Sequence, residues 1–540
     1  MSGSRAPRTV KVAVVGSGLA GLTTTYLLSS SLPDSDVAFE VHLFEKAPTL
    51  GMDSSSVSIG KDWRIDVPMR SFQGGYYPHF IALYTKLGVE FRLNDYSYSF
   101  SSFSQKSGPL QTTMIYNGAS GRAGLGMPAW MQDLYFRRER HHTIMRIFGL
   151  ALFILTTLQL FACYVRLILF SLPPVRSKRF NDLTFGEWAA ETVPCNFFAR
   201  VLGFDSAWKS FTQDVLIPLF SAVCTAPEEA INAHPVEDIL DYIWLTFGRT
   251  HHYVVSKGVR DVVARLTSNA QHIHLSAHIV SVHADPSNPR LVSIECSTID
   301  GPIRYPGFHH IVFGTQATRV GPMLSTYAAS LPPDSHARDA AMQQMACLET
   351  FRYVRTVVLN HTDASPALLP ADKRDRRDLN LVVATRCARA VPLPWSPHRV
   401  SLAYTMTTQI VTPPPVLRAA APVTVFQTTN PFVAVPADRI LSSATLERAV
   451  RTMDARAALR GLCRETRRAW WQCAAAADCA LGPLQGAGRA DSDAHAGVWL
   501  CGAYAHVGIP LLEGCVVSAR NVYLAICDSE GLRPSSASCF

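Results

Sequence analysis

The stretch "TVKVAVVGSGLAGLTTTYLLSS" near the N-terminus places three glycines between a predicted strand and a predicted helix. Residues 11–15 become continuously apolar, as buried parallel strands do, and residues 19–28 have apolar side chains at helical spacing. Gly16, Gly18 and Gly21 follow the GxGxxG spacing. In this motif the glycines allow a tight turn, a close approach of a pyrophosphate and close helix–strand packing. The helix N-terminus offers unpaired N–H groups and a positive dipole end to the phosphates. The stretch therefore predicts a dinucleotide-binding unit.

The next predicted strand supplies the acid that such a unit uses to bind ribose. The stretch "FEVHLFEK" predicts a strand that ends at Glu45. This carboxylate comes roughly 20 residues after the glycine loop, where a ribose-binding acid is expected. We expect Ser17, Glu45 and Lys46 to contact the dinucleotide. These residues leave the choice between NAD(P) and FAD open.

The C-terminal stretch "GVWLCGAYAHVGIPLLEGCVVSARNVYLAI" favours flavin. Residues 498–500 predict a short buried strand, a glycine-rich loop follows, and residues 513–526 predict a helix packed on one face. Together with the N-terminal loop, this arrangement resembles the flavin-containing amine oxidase and phytoene desaturase-like superfamily. In that superfamily the last strand, loop and helix return to the N-terminal dinucleotide fold. The helix N-terminus there faces the flavin ring and stabilises negative charge on the reduced flavin.

The resemblance extends to segments in the middle of the chain. "IHLSAHIVSVHA" is similar to the strand whose backbone meets the adenine, with Ile279 at the matching position, and "FHHIVFGTQATRV" is similar to the next strand, which ends at Gly314. Two positions depart from the family pattern, since Met52 and Lys257 stand where a second glycine is usual. The resemblance implies an FAD site made of Gly16, Ser17, Gly18, Gly21, Glu45, Lys46, Gly51, Met69, Ile279, Gly314, Gly502, Glu513, Gly514 and Cys515.

Two residues are candidates for catalysis by the same resemblance. The stretch "RIDVPMRSFQGGYYPHF" is similar to the segment that lies against the flavin ring in a poorly characterised branch of predicted NAD/FAD-binding proteins. Arg70 in it would stabilise anionic reduced flavin or pair with a substrate carboxylate, and a structural salt bridge is the competing interpretation. His506 lies in the C-terminal glycine loop, near the expected flavin.

An apolar run covers residues 147–169, which is long enough to span a bilayer. Basic clusters flank it on both sides, so the positive-inside rule gives no orientation. The cofactor-binding segments lie before and after the run and must share one compartment if both bind FAD. Three alternatives remain: a buried helix of the substrate domain, a monotopic element that dips into one leaflet (for example as a hairpin broken around residues 159–166), or a true span that would make the flavoprotein interpretation wrong. The basic flanks favour contact with an anionic membrane surface.

Composition excludes several other classes of protein. The net charge of +8 is scattered, and no Lys/Arg block is interleaved with aromatic residues, so we expect no nucleic-acid partner. The thirteen cysteines form no CxxC or CxxH pair, which favours reduced thiols and no metal site. The N-terminus has no long apolar segment, so we expect an unsecreted protein on the cytoplasmic side, associated with a membrane through residues 147–169.

These features predict an α/β fold with a discontinuous Rossmann-like FAD domain at residues 1–85, 253–325 and 490–540. A helical insertion at residues 86–252 and an α+β substrate domain at residues 326–489 would lie between its pieces. The function predicted is that of an FAD-dependent oxidoreductase, amine oxidase-like or desaturase-like, which removes a hydride equivalent from a C–N or C–C bond of a small apolar substrate. The redox partner is not identified.

Two alternatives come from other classes. The first is a membrane-associated flavin- or nucleotide-binding protein without turnover, in which the departures at Met52 and Lys257 are decay. The second is an NAD(P)-linked reductase, in which the C-terminal helix has no part in cofactor binding. In that case Gly514→Val would leave cofactor affinity unchanged.

Overall fold

In the computed structural model the described residues are 8–30, 35–60, 63–68, 71–104, 110–118, 122–137, 143–248, 251–385, 396–413, 424–465, 469–476, 479–486 and 495–534. The strands are β1 (Arg8–Val15), β2 (Val37–Phe44), β3 (Val57–Ile59), β4 (Trp63–Ile65), β5 (Ser71–Gln73), β6 (Phe91–Leu93), β7 (Tyr98–Phe103), β8 (Gln111–Tyr116), β9 (Leu125–Gly126), β10 (His252–Val255), β11 (His272–His274), β12 (His278–Asp285), β13 (Asn288–Thr298), β14 (Gly301–Phe308), β15 (His310–Phe313), β16 (Arg352–His361), β17 (Leu379–Ala384), β18 (Met406–Val411), β19 (Val425–Thr429), β20 (Ile440–Val450), β21 (Cys463–Glu465), β22 (Cys479–Leu481) and β23 (Gly497–Leu500).

The α-helices are α1 (Leu19–Ser29), α2 (Pro78–Lys86), α3 (Ala129–Gln132), α4 (Thr143–Ser171), α5 (Phe185–Glu191), α6 (Phe197–Val201), α7 (Phe204–Ser210), α8 (Ile217–Cys224), α9 (Glu228–Asn232), α10 (Val236–Thr246), α11 (Val259–Leu266), α12 (Ala317–Ser330), α13 (His336–Glu349), α14 (Met453–Leu459) and α15 (Leu512–Ser529).

A parallel sheet joins the two ends of the chain. Its strand order is β11-β2-β1-β15-β23. Strand β1 pairs with β2 along its whole length and with β15 over residues 12–15, and β15 pairs in turn with β23. Valines at alternate positions of β1 (Val10, Val12 and Val14) are fully buried, and α1 and α15 pack against each other. The predicted α/β fold with a discontinuous Rossmann-like domain is confirmed.

A larger sheet forms the second layer, with the order β20-β16-β19-β18-β17-β7-β8-β9. Strands β7, β8 and β9 come from the first predicted insertion, whereas the other five come from the second. A parallel pairing between β7 and β17 joins the two groups, with Tyr98 opposite Leu379. The domain boundaries drawn from the sequence remain a prediction, and the first insertion contributes strands as well as helices.

Helix α4 covers the apolar run as one unbroken helix of 29 residues. Only 11% of its most apolar span is buried, so the buried-helix and broken-hairpin alternatives do not describe this chain. In the described part of the chain, α4 is the one helix long and apolar enough to cross a membrane. It lies between β1 and β23 in the sequence, and these strands belong to the same sheet. One crossing by α4 alone would therefore separate strands that the fold pairs.

Three histidines lie side by side at the edge of the parallel sheet. His42 Nδ1 and His274 Nε2 are 3.0 Å apart, and the rings of His42 and His272 stack with centroids 4.3 Å apart. Burial lowers the pKa of His42 and lowers the pKa of His274 to about 4, with the neighbouring imidazoles adding to the effect on His274. The folded protein therefore favours the neutral forms of His42 and His274 at pH values where a free histidine is protonated.

We expect the free energy of unfolding to fall as the pH decreases from about 6.5 to about 4. A depressed pKa means that the unfolded chain binds more protons in this window, so acid favours unfolding. His274→Gln should reduce the dependence of the free energy of unfolding on pH. This free energy is measured by urea unfolding at about pH 7, 6 and 5. The exposed His398, changed to Gln, is the control and should keep the wild-type slope. Equal slopes for all three proteins would contradict the prediction.

Candidate functional site

The N-terminal glycine loop begins where β1 ends. Gly16 has a φ of +93°, a conformation that favours glycine, and its N–H donates to the Phe44 carbonyl at 2.8 Å. A Cβ at Gly21 would lie 1.9 Å from the Gly16 carbonyl oxygen, so the first turn of α1 packs directly on the loop. A Cβ at Gly18 would find its nearest neighbour, the Gly314 carbonyl oxygen, at 3.8 Å. Gly18 therefore has a single neighbour within 4 Å, at ordinary van der Waals distance, in the place where the motif expects a ligand.

Helix α1 starts without a side-chain cap. Its N-cap residue is Gly18, and no side chain accepts a hydrogen bond there. The first N–H groups of a helix have no partner within the helix and carry the positive end of its dipole. The N-terminus of α1 can therefore donate to an anionic ligand such as a pyrophosphate.

The predicted ribose acid lies next to the loop. Glu45 is buried, and its Oε2 accepts hydrogen bonds from the Ser17 N–H at 2.9 Å and from the Ser17 hydroxyl at 2.6 Å. The Ser17 hydroxyl accepts in turn from the Gly51 N–H at 2.7 Å. A Cβ at Gly51 would lie 2.8 Å from the Ser17 carbonyl oxygen. The fold thus brings Ser17, Glu45 and Gly51 together, while the neighbouring Lys46 is exposed.

Two more predicted positions lie at the same edge of the parallel sheet. Gly314 follows β15, and a Cβ there would lie 2.8 Å from the Gly21 Cα. Ile279 in β12 packs against the buried cluster that contains Val15, Phe44 and Phe313, the last residues of three parallel strands. Both positions are therefore close to the carboxyl ends of the strands, where open α/β sheets bind their ligands. Met52, the departure from the family pattern, has its side chain in the core.

The C-terminal loop is held against the first turns of α15. Gly502 has a φ of +151°, and its N–H donates to the Ser518 hydroxyl at 2.9 Å. The same hydroxyl donates to the Gly514 carbonyl at 2.7 Å. A Cβ at Gly514 would lie 3.1 Å from the Ala503 carbonyl oxygen, so this glycine permits close packing of the loop on the helix. The start of α15 is thereby fixed relative to β23.

Glu513 caps another helix with its side chain. Its carboxylate accepts hydrogen bonds from the backbone N–H groups of His79 at 3.0 Å and Phe80 at 2.9 Å, and it pairs with the His79 ring. These N–H groups lie in the first turn of α2, where a carboxylate is favoured by the helix dipole. Glu513 therefore links α15 to α2 through its side chain. Its backbone remains as the part of the residue that a cofactor could contact.

A cavity of about 260 Å³ lies between the start of α15 and the eight-stranded sheet. Cys515 and Leu512 of α15 line one side, and polar side chains of the sheet, such as Gln427 and Thr429, line the other. Aromatic and amide side chains form much of the remaining wall: Phe72, Gln73, Tyr77, Tyr96, Tyr98, Tyr242, His252 and Gln409. The start of α15, predicted to face the cofactor, and the eight-stranded sheet, which includes the predicted substrate domain, therefore both line this cavity.

The titratable groups of the cavity are held in their neutral forms. Burial raises the pKa values of Tyr77, Tyr98 and Tyr242 well above the usual tyrosine value, and burial lowers the pKa of His252. Among the described residues that line the cavity there is no carboxylate. Arg448 contributes the guanidinium group of the wall. Apart from Arg448, the described wall of the cavity is held in uncharged forms, and the cavity therefore suits a ligand that is largely apolar.

The two predicted catalytic residues have different outcomes. Arg70 lies outside the described residues, as does Met69, so their roles remain predictions. His506 is buried in the loop before α15, and its ring contacts the Cys479 side chain. It is not among the described residues that line the cavity. A catalytic role for His506 remains a prediction.

Sequence reasoning did not find the cavity tyrosines of the eight-stranded sheet. The stretch "YSYSF" contains Tyr96, Tyr98 and Phe100 at alternate positions. Alternation of this kind predicts a strand with one aromatic face. The alternating aromatic residues therefore predict this face of the strand, but they do not predict that it lines a cavity.

Comparisons with known proteins agree with this geometry. A family model of NAD(P)-binding Rossmann-like domains matches residues 14–87. Among solved structures, the chain is similar to cyclohexylamine oxidase from Brevibacterium oxydans IH-35A, with 11% identity and a TM-score of 0.50 over 97% of this chain and 99% of that chain. It is also similar to an oxidoreductase from Methanosarcina mazei, with 12% identity and a TM-score of 0.48 over 95% and 99% of the two chains. A third similar structure is putrescine oxidase bound to putrescine, with 13% identity and a TM-score of 0.47 over 96% and 100%.

No curated protein matches the sequence. The match to cyclohexylamine oxidase spans nearly the whole of both chains and shows the fold. This chain therefore shares the overall fold of that enzyme, and residues 14–87 match a Rossmann-like domain. The resemblance inferred from the two glycine loops is confirmed at the level of the fold.

Substitutions at Gly18 and Gly21 should separate ligand binding from folding. Gly18→Ala adds a methyl group that meets only the Gly314 carbonyl oxygen, at an unstrained 3.8 Å, so thermal unfolding should stay unchanged while the dissociation constant for the dinucleotide rises at least about tenfold. Gly21→Ala forces a methyl group against the Gly16 carbonyl and should destabilise the fold by about 2 kcal/mol or more. Gly321→Ala, which meets nothing within 4 Å, is the control for both measurements. Unchanged dinucleotide affinity in Gly18→Ala would contradict the assignment of the loop.

Proposed function

We propose that this protein is an FAD-dependent oxidoreductase that removes a hydride equivalent from a C–N or C–C bond of a small, apolar substrate. The observation that carries the proposal is the position of the cavity. It begins at the N-terminus of α15, on the same domain as the glycine loop, and ends on the face of the eight-stranded sheet. A dinucleotide lying along the strand ends would place its reactive end toward this cavity.

The residues present fit FAD. The uncapped N-terminus of α1 supplies donors for a pyrophosphate, and the room left at Gly18 lets phosphates come close to the backbone. Glu45 supplies a carboxylate at the end of β2 for the ribose hydroxyls. The return of β23 and α15 to the same sheet adds a second helix N-terminus, and this feature supports FAD over NAD(P).

The bound flavin would supply the redox chemistry by accepting a hydride equivalent from the substrate. The chain's own part is to orient the substrate and to stabilise charge. The positive end of α15 at Leu512 and Cys515 would favour negative charge on the flavin ring. The neutral phenols of Tyr98 and Tyr242 and the amide of Gln427 would exclude water and position the substrate by hydrogen bonds.

A spectrum of the purified full-length protein tests the proposal. We expect the two absorption bands of bound oxidised flavin, either as purified or after addition of FAD and removal of the excess. Anaerobic addition of a substrate should bleach them. Flavin that is retained but bleached by no amine or alkene tested would favour the alternative without turnover. A folded protein that takes up no FAD and instead binds NADPH would contradict the proposal and support the reductase.

We also propose that the protein acts at a membrane surface. The outward face of α4 is apolar, with exposed side chains at helical spacing: Ile144, Ile147, Ile154, Leu158, Phe161, Val165 and Leu169. The short helix α6 continues this surface, because Gln159 Nε2 donates to the Leu202 carbonyl at 3.1 Å and holds the end of α6 beside α4. In α6 the side chains of Phe197 and Phe198 are 75% and 74% exposed. Apolar surface of this extent, presented by two helices, suits the interfacial region of a bilayer.

Charge supports an anionic lipid surface. Exposed basic residues lie next to both helices: Arg146, Lys178, Arg179, Arg200 and Lys209. Such residues are attracted to anionic headgroups while apolar neighbours enter the acyl region. Because β1 and β23 share a sheet, α4 would lie in the interface plane instead of crossing the bilayer alone. An apolar substrate could then reach the protein from the lipid.

Binding to vesicles tests the membrane surface. The wild-type protein should float with anionic phosphatidylglycerol vesicles and bind more weakly at high salt. The double change Phe197→Ser and Phe198→Ser should weaken binding by more than about tenfold, because burial of each phenylalanine contributes about 2 kcal/mol. Ile299→Ser, at a hairpin tip where the side chain is 90% exposed, is the matched control and should bind like wild type. A wild-type protein that stays in solution with all vesicles would contradict the proposal.

A further inference from the structure

Two cysteines and a histidine meet outside the cavity described above. Cys463 is in β21, Cys479 is in β22, and His506 is in the loop before α15. One ligand atom from each, the two Sγ atoms and an imidazole nitrogen, all lie within 4.8 Å of one another. Cys463 is 4% exposed and His506 is 6% exposed, while Cys479 is half-buried. The arrangement is thus a small polar cluster that is largely withdrawn from solvent.

The fold brings the two cysteines to one face of a hairpin. In the antiparallel pairing of β21 with β22, Cys463 lies opposite Leu481 and Glu465 lies opposite Cys479. Residues two positions apart on a strand point to the same face, so the two cysteines are diagonal neighbours on that face. Asn521 of α15 donates to the Cys479 carbonyl at 2.9 Å and fixes the hairpin against the helix.

A buried arginine holds the loop that carries the histidine. Arg451 Nη2 donates to the His506 carbonyl at 2.5 Å and to the Gly508 carbonyl at 3.1 Å. Gly514 permits the close approach of this loop to α15, since a Cβ there would lie 3.2 Å from the His506 Cβ. The imidazole is therefore presented to the hairpin by a fixed backbone.

The three side chains already contact one another. The thiol groups of Cys463 and Cys479 share a hydrogen bond, and Cys479 shares another with the His506 ring. The Val507 N–H is within hydrogen-bonding reach of the Cys463 sulfur. Around a tetrahedral zinc ion, sulfur and nitrogen ligands lie about 3.5–3.8 Å apart. Small side-chain movements within the 4.8 Å cluster would reach this geometry.

We propose that Cys463, Cys479 and His506 bind one zinc ion through two thiolates and an imidazole. Sulfur and imidazole ligands in a tetrahedral arrangement favour zinc over hard cations such as magnesium. A second cavity, lined in part by Cys463, Glu465 and Gly508, adjoins the cluster at Cys463 and can supply a water as the fourth ligand. The two negative charges of the thiolates balance the two positive charges of the zinc ion. The inference does not depend on the proposed flavin.

The site would link the hairpin to the C-terminal loop. Ile509 and Pro510 come three and four positions after the histidine and line the first cavity. Zinc bound at residue 506 would therefore fix the backbone that forms one wall of the proposed substrate site. The sequence did not predict this site because its ligands are far apart and no CxxC or CxxH pair marks them.

The first test is metal analysis of the purified full-length protein. The protein is expressed in zinc-supplemented medium, purified under reducing conditions and then dialysed. We expect about one zinc per chain in the wild type. Cys463→Ser, Cys479→Ser and His506→Asn should each lose most of it. Cys473→Ser is the matched control, since this buried cysteine lies between the other two in sequence and outside the cluster, and it should retain the metal. Retention of zinc by the cluster variants would overturn the proposal.

A second group, Glu40, His42 and His272, also brings metal-capable atoms together, so metal content alone does not locate the ion. His272→Asn should keep its zinc if the cysteine cluster is the site. Cobalt substitution of the wild type gives a readout that needs no variant to fold. We expect a thiolate-to-cobalt charge-transfer band and tetrahedral visible bands. A reduced, folded wild-type protein that binds neither zinc nor cobalt through sulfur, or that shows only a Cys463–Cys479 disulfide, would overturn the proposal.

Discussion

The parallel pairing of β1, β15 and β23 is the constraint on which the rest of the structure depends. It brings residues from the two ends of a 540-residue chain into one sheet and sets α1 against α15. The glycine loop and the start of α15 are positioned by this sheet, and so is the cavity between them. It also argues against a single bilayer crossing by α4, because such a crossing would put β1 and β15, which pair through backbone hydrogen bonds, on opposite sides of the membrane.

Close backbone contact at the strand ends shapes the proposed binding site. Gly16, Gly21 and Gly314 pack so tightly that a methyl group at any of them would meet backbone or side-chain atoms at van der Waals distance or closer. Gly18 is less crowded, because its nearest neighbour would lie at 3.8 Å, and this leaves room for the proposed pyrophosphate. The close packing of Gly16, Gly21 and Gly314 sets the position of the first turn of α1, whose N-terminus has no side-chain cap. The same principle operates at Gly514, where close packing of the loop on α15 fixes the second helix terminus.

The sequence predicted the dinucleotide domain well because its signals are local. A buried strand, a glycine turn and a helix with apolar residues at helical spacing follow one another in β1 and α1, and again in β23 and α15. The eight-stranded sheet could not be predicted in this way. Its two halves meet where Ser99 in β7 donates to Asn380 in β17 at 2.8 Å, and these residues are 281 positions apart. Separation in sequence also hid the cavity wall. The cysteine–histidine cluster was missed at shorter range, since Cys463, Cys479 and His506 are 16 and 27 positions apart and meet through the β21–β22 hairpin and its packing on the loop before α15.

Hydrogen–deuterium exchange of the full-length protein with and without FAD tests the central claim most directly. The claim is that both ends of the chain form one flavin site. It predicts slower exchange on FAD addition at two separated segments, the first turn of α1 and the first turn of α15 with the loop before it. NADPH at the same concentration should not reproduce the protection at α15. Protection confined to the α1 loop, with α15 unaffected by FAD, would contradict the claim.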